Sequence, residues 1–203
     1  MATPLFKDGA KDSWDNFRPI SVLSILSKVC ENHVAASFMD YLVRTGILYE
    51  LQSAFRARHS TESALISLTD HIHFKLDEDK LSDMVFIDFR KAFDVVNPQL
   101  FLSKLRLYRV IDPLLSWFEY LSGRQQFISI DGQRSDSLLI KQGVPQGSVL
   151  APTLVLLFVS GIPLHLANST VNIYDDDITI TESAHFSDLC SMTQRLDFDL
   201  DAD

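Results

Sequence analysis

Residues 172–180 read NIYDDDITI, with three consecutive aspartates, Asp175, Asp176 and Asp177, between two apolar runs of strand length. β-Branched and aromatic residues on both sides favour extended chain, and the aspartates favour a turn. The pattern predicts a hairpin, Val171 to Tyr174 against Ile178 to Thr181, with charge at its tip and flanks that need a core. MVFIDF, residues 84–89, predicts a second apolar strand, short and buried, with Asp88 inside it. Ionised carboxylates in low-dielectric surroundings are costly unless compensated, and a divalent cation held by oxygen ligands is a common compensation. A strand Asp with a hairpin Asp pair is therefore a candidate metal site. Magnesium suits its hard oxygen donors, and two such ions can serve a phosphoryl transfer. An Asp run alone is more often a solvated turn, so the rest of the chain has to decide.

Apolar positions from Leu26 to Leu42 recur at three- and four-residue intervals up to Gly46 and predict a long amphipathic helix. Ser60-Thr61-Glu62 opens a second helix that ends in LDEDK. Asn97-Pro98 and Asp112-Pro113 are helix starts, and Trp117 and Phe118 on the second of these read as core. Residues 125–140 predict a hairpin turning near Asp131-Gly132, a helix follows GVPQG from about Ser148, and a last helical pattern carries Leu189, Met192, Leu196 and Leu200.

No His/Cys set has zinc spacing, and no Gly-rich phosphate loop follows a strand. Cys30 and Cys190 stand far apart with no paired spacing, the N-terminus has no signal-peptide pattern, and an intracellular protein is expected. The longest apolar stretch, Val149 to Leu164, is broken by Pro152, Gly161 and Pro163 and falls short of the ~20 residues of a membrane span. The formal net charge of −9 speaks against phosphate binding; residues 185–203 carry −4 of it, leaving −5 on the remainder, which includes the Asp cluster.

Five ordered blocks join these features: NFRPISVLSILSKVCE (16–31), AFRARHSTESAL (54–65), MVFIDFRKAFDVV (84–96), GVPQGSVLAP (143–152) and IYDDDITI (173–180). In order and spacing the chain resembles reverse transcriptases of non-LTR, jockey-like retrotransposons, from about residue 3 to 182. The resemblance implies an α+β fold, a right-hand polymerase fingers and palm with an antiparallel palm sheet and packed helices, the thumb being absent. It divides the chain into a fingers-like region, 1–83, and a truncated palm-like region, 84–203. It also implies RNA-directed DNA polymerase chemistry: attack of a primer 3′-hydroxyl on a nucleotide α-phosphate, helped by two Mg²⁺ ions or Mn²⁺ in their place.

By match to the family's motifs, Asp88, Asp176 and Asp177 are the catalytic metal ligands. Phe93 matches the aromatic that excludes a ribose 2′-hydroxyl, Gln146 and Gly147 match contacts to nucleotide and template, and Arg56 matches a triphosphate contact. Lys91 and Asp94 belong to the KAFD pattern without an assigned role, and Arg90 reads as solvated. The implied partners are an RNA template, a DNA primer and deoxynucleoside triphosphates, with no membrane, and the family's habit points to the nucleus. Oligomeric state is not legible.

Three departures matter. Asp175 stands where the family usually has alanine, and the extra carboxylate is expected either to draw metal away from productive geometry or to raise a neighbour's pKa, with polymerase activity reduced or absent. Ala54 replaces a usual glycine, and SGIP (160–163) a usual Asn-Asp-Leu-Pro. The thumb and the upstream endonuclease of full-length members have no counterpart in these 203 residues. The alternative reading is a catalytically inactive truncated remnant, at most an RNA- or protein-binding module. A palm-type nucleotide cyclase has no place for GVPQG.

Overall fold

A computed structural model of the chain describes residues 1–89 and 91–200. In chain order it comprises strands β1 (Ala2–Phe6) and β2 (Phe17–Ser21), helices α1 (Ile25–Arg44) and α2 (Thr61–Asp77), and strand β3 (Lys80–Asp88). Helices α3 (Ala92–Val95), α4 (Pro98–Leu107) and α5 (Leu114–Phe118) follow, then the two-residue strands β4 (Gln125–Gln126), β5 (Ser129–Ile130), β6 (Gln133–Arg134) and β7 (Leu138–Leu139). Helix α6 (Ala151–Val159), strands β8 (Thr170–Tyr174) and β9 (Asp177–His185) and helix α7 (Leu189–Leu200) complete it. Helices with antiparallel sheets make this the α+β class. The chain divides into two compact units, Met1–Thr45 with Lys91–Phe158, and Gly46–Arg90 with Val159–Asp203. Each unit takes two separate stretches, so their limits cut across the 83/84 division.

In the first unit, Asn97 caps α4 by accepting from the backbone N–H groups of Gln99 and Leu100, with Pro98 in the first turn. The core is aromatic: the Phe118 ring lies 5.2 Å from that of Phe38 and 5.8 Å from that of Phe101, all three fully buried. Helix α1 follows the predicted span but buries its apolar stripe only in its second half, through Phe38 and Leu42. Leu26 and Val29 are exposed, and the buried side chain of the first half is Glu31. The β5–β6 hairpin turns at Asp131-Gly132, where both residues take the positive φ, 48° and 80°, of a tight primed turn.

In the second unit, β9 is the central strand of an antiparallel sheet of order β3-β9-β8. Pairing of Tyr174 with Asp177 leaves the two-residue turn Asp175-Asp176, so Asp177 lies inside the strand rather than in the tip. Strand alternation puts Val171, Ile173, Ile178 and Ile180 on one face, where they pack with Val159 and Leu196, and Val85 and Ile87 of β3 lean on that cluster. The outer strand β3 therefore has one apolar face and one open face, and this corrects the expectation of a buried strand: Phe86 and Asp88 are exposed. The strand also begins at Lys80 rather than Met84, because its ladder with β9 runs on to His185.

The outer edge of β8 is taken by the segment 51–53: Ile173 N–H donates to Leu51 O and Ser53 N–H to Ile173 O, which removes a free strand edge. Ser60 and Ser63 form a reciprocal capping box at the start of α2. No described helix is long and apolar enough to cross a membrane. Cys30 and Cys190 are free and exposed. Arg90 lies outside the described residues.

Candidate active site

The second unit brings three of the predicted residues together. Asp88, last residue of β3, and Asp177, first of β9, are direct cross-strand partners. Residues so paired share a face and hold their Cβ atoms about 4.5–5.5 Å apart. That face is the one opposite Ile87 and Ile178, and both carboxylates are exposed on it. Asp176 occupies the second turn position, half-buried, and its carbonyl accepts the Phe89 N–H at 3.2 Å, which ties the hairpin turn to the end of β3. Asp175 takes φ 58°, a left-handed conformation that Asp tolerates better than most residues.

Negative charge accumulates here. Burial raises the Asp177 carboxyl above its ordinary pKa, and the charges of Asp176 and Asp88 add to the rise. Burial and then Asp176 and Asp177 push Asp175 up to about 6. The like charges thus add to the burial of Asp175 itself, and Asp175 is not among the causes that raise its neighbour Asp177. Its Oδ1 is buried with no hydrogen-bond partner among the described residues, and none of the described Lys, Arg or His forms an ion pair with Asp88, Asp175, Asp176 or Asp177. An anionic, all-oxygen donor set with no described cation paired to it fits a hard divalent cation in kind. It is not a finished cage: among the described residues no group of three or more His, Cys, Asp or Glu side chains is arranged to hold a metal ion.

Arg56 belongs to the same unit. Its NH1 donates to the carbonyls of Tyr49, Glu50 and Gln52, at 3.1, 3.3 and 2.8 Å, and so braces the loop that covers the β8 edge. That structural task has no signature in the sequence, because its acceptors are backbone atoms.

Phe93, Gln146 and Gly147 lie in the first unit, where the GVPQG turn is stitched to the segment 93–96. Val144 N–H donates to Phe93 O and Gly143 N–H to Val96 O, each at 2.7 Å. A Cβ on Gly143, at φ 88°, would stand 2.9 Å from the Asp94 backbone, so glycine is what allows the contact. Gly147, at φ 94°, is in the same position against Ser21, whose carbonyl a Cβ would approach to 3.0 Å. The Gln146 carbonyl accepts the Ser21 N–H, and its side-chain Nε2 donates to Asp94 Oδ1 at 2.9 Å. Phe93 is half-buried.

Two further acids escape a reading by motif. Glu31, buried, accepts from Ser148 Oγ and Val149 N–H at 2.9 and 2.8 Å, and so holds the residues that lead from the turn into α6. Asp199 of α7 accepts from Ala167, Asn168 and Ser169, the segment entering β8. Burial would raise its carboxyl, but the Ser169 hydroxyl and the three backbone N–H groups outweigh burial and hold it below the ordinary carboxylate range. The one available signal for either acid is a charge on an otherwise apolar helical stripe.

A family model described as reverse transcriptase (RNA-dependent DNA polymerase) matches residues 7–195. A probable RNA-directed DNA polymerase from transposon BS of Drosophila melanogaster is 32% identical over 188 residues, covering 86% of this chain and 20% of that protein. The RNA-directed DNA polymerase from the mobile element jockey of the same fly is 31% identical over 173 residues, covering 84% and 18%. The chain thus spans about a fifth of the length of these relatives. Among solved structures, telomerase from Candida albicans in complex with the TWJ fragment of telomeric RNA superimposes with a TM-score of 0.61 at 13% identity, over 84% of this chain and 32% of that one. Apo telomerase from Candida tropicalis gives 0.52 at 12%, over 84% and 37%. At these identities the likeness is one of fold.

Proposed function

We propose that this chain, which belongs to the reverse transcriptase (RNA-dependent DNA polymerase) family, supplies the catalytic carboxylates of an RNA-directed DNA polymerase of the non-LTR, jockey-like kind. The observation that carries the reading is the pairing of Asp88 with Asp177 on the open face of the sheet, with Asp176 beside them in the turn. In this reading Asp88, Asp176 and Asp177 hold divalent metal, two Mg²⁺ ions, with Mn²⁺ as substitute. When bound, the metal lowers the pKa of the primer 3′-hydroxyl and neutralises charge on the phosphate oxygens.

The chain's own residues supply position. The β3–β9 ladder fixes the spacing of two carboxylates before any ligand arrives, so no strand has to move to make the site. Gln146 and Gly147 contact nucleotide and template, Phe93 excludes a 2′-hydroxyl by its bulk, and Arg56 offers its remaining guanidinium donors to phosphate oxygens. The substrates are an RNA template, a DNA primer and deoxynucleoside triphosphates. Residues 1–83 act as fingers and 84–203 as palm, in the nucleus where the genomic target lies.

The test is Mg²⁺-dependent incorporation of thymidine triphosphate on poly(rA) primed with oligo(dT). Incorporation by the wild type, lost in Asp88→Asn and in Asp177→Asn, supports the reading. Primer-template binding with no incorporation overturns it in favour of a non-catalytic RNA-binding remnant. One observation favours that second reading: among the described residues no group of three or more His, Cys, Asp or Glu side chains is arranged to hold a metal ion.

A further inference from the structure

The KAFD segment carries an acid, Asp94, to which neither the motif nor the metal chemistry gives a task. Asp94 lines a cavity of about 230 Å³ together with Ser21, Arg124, Gly143 and Gln146. Arg124 is the obvious ion-pair partner on that wall, yet its guanidinium donates to the backbone carbonyls of Leu121 and Gly143. Among the described residues Asp94 makes no ion pair, and its Oδ1 receives the side-chain amide of Gln146 at 2.9 Å.

The backbone around this contact is already fixed. Phe93 O and Val96 O accept from Val144 and Gly143, the absent Cβ of Gly143 lets the two segments touch, and Ser21 holds the Gln146 carbonyl. The only freedom left to Gln146 is that of its side chain, which has three rotatable bonds. A donor held by a charged acceptor on a rigid neighbour keeps one orientation before a ligand arrives, and affinity then loses less to ordering.

We propose that Asp94 is a positioning residue that orients the Gln146 amide. The contact with Nε2 also fixes which end of the amide faces away from Asp94: the carbonyl oxygen Oε1 is presented as an acceptor, so the ligand group it meets is a donor, an N–H or O–H of a nucleotide or template strand. This inference rests on the reading of Gln146 as a nucleotide or template contact, but the orientation itself does not.

The test compares Asp94→Leu, which keeps size and removes the acceptor, with Asp94→Asn, which keeps an acceptor oxygen. The probe is the ¹⁵N side-chain amide resonance of Gln146, assigned by its loss in Gln146→Ala. The expected result is a dispersed, motionally restricted resonance in wild type and Asp94→Asn, and collapse to the position of a solvated glutamine in Asp94→Leu, with the backbone amides of residues 143–145 unmoved. An unchanged resonance in Asp94→Leu overturns the proposal. So does movement of those backbone amides, which would make Asp94 a support of the turn.

Where the chain polymerises, Asp94→Leu raises KM for the nucleotide about tenfold with little change in kcat, Asp94→Asn restores it, and Asp94→Leu/Gln146→Ala is no worse than Gln146→Ala alone. Additive losses in that double variant overturn the proposal. Absence of polymerisation by the wild type counts against the functional reading, and the resonance still decides the orientation.

Discussion

Removing the Asp199 carboxylate should loosen the entry to the hairpin that carries the aspartates, and the effect should depend on pH in a definite sense. Asp199 is 2% exposed. Its Oδ2 accepts from Ser169 Oγ at 2.7 Å, Ser169 N–H at 2.9 Å and Asn168 N–H at 3.1 Å, and its Oδ1 from Ala167 N–H at 3.0 Å. Hydrogen bonds to a charged group contribute roughly 1.5–3 kcal/mol each, but bonds sharing one acceptor group do not add. Asp199→Ala, which strands three backbone donors, should cost about 3–4 kcal/mol. Asp199→Asn, which keeps one oxygen and turns an NH₂ toward a donor, should cost about 2 kcal/mol.

Because the folded carboxyl lies below its unfolded value near 3.9, its contribution is present above that value. It is lost as pH falls through the lower folded value. Urea unfolding of wild type and Asp199→Asn at pH 7, 5 and 3 should show a full gap at the first two and a shrinking one at the third. Hydrogen exchange at Ala167 to Ser169 should report the same order. A variant as stable as wild type at pH 7, or a gap that does not shrink at pH 3, refutes the reasoning.

Glu31→Ala should destabilise by about 2–4 kcal/mol in denaturant unfolding, since it removes a buried acceptor from Ser148 and Val149. Gly143→Ala should cost more than about 2 kcal/mol, because φ 88° and three backbone atoms at 2.9 Å oppose a Cβ, and the amides of Gly143 and Val144 should lose exchange protection. Asp175→Asn should raise stability at pH 7 by about 1 kcal/mol in metal-free buffer. Its folded value near 6 lies above the unfolded one, so the wild type loses stability as pH rises through that range, and partial solvent access discounts the full shift. The gain should vanish at pH 4, and a gain that persists there refutes the assignment.

Some of this was legible in the sequence for physical reasons that also mark the limit. Caps and turns are local: Ser60, Asn97 and Asp131-Gly132 act through atoms within three residues, so their composition announces them. The pairing of Asp88 with Asp177 is not local, yet it follows once both runs are strands of one sheet with apolar faces to cover. What periodicity cannot say is how far a partner extends along a face. Helix α1 carries an apolar stripe from end to end but buries only its second half, and β3 reads as buried although its outer position leaves Phe86 open. Glu31 and Asp199 act on backbone atoms of distant segments and Arg56 on those of the loop just before it, and a contact to the main chain leaves no complementary residue type to find.

The acids of this fold divide into two kinds, and the division bears on function. Asp199 has five donors, Glu31 has two, Asp94 has the Gln146 amide, and Glu182 accepts from Arg195 at 2.7 Å. Each of these is compensated where it stands. Around the hairpin turn the same chain leaves four acids without a described cation, and two of them carry raised pKa values. Repulsion of this kind burdens the folded state alone, so a ligand that relieves it must stabilise that state by an amount set by its concentration relative to Kd, about 2.7 kcal/mol at a hundredfold excess. Titration with Mg²⁺ should therefore raise the melting temperature of the wild type, and Ca²⁺ of equal ionic strength should do so less if the site demands the smaller ion's geometry. Asp88→Asn with Asp177→Asn should abolish the shift while raising stability without metal. A double variant that gains no metal-free stability, or still responds to Mg²⁺ as the wild type does, would mean that the cross-strand carboxylates are not where the cation binds.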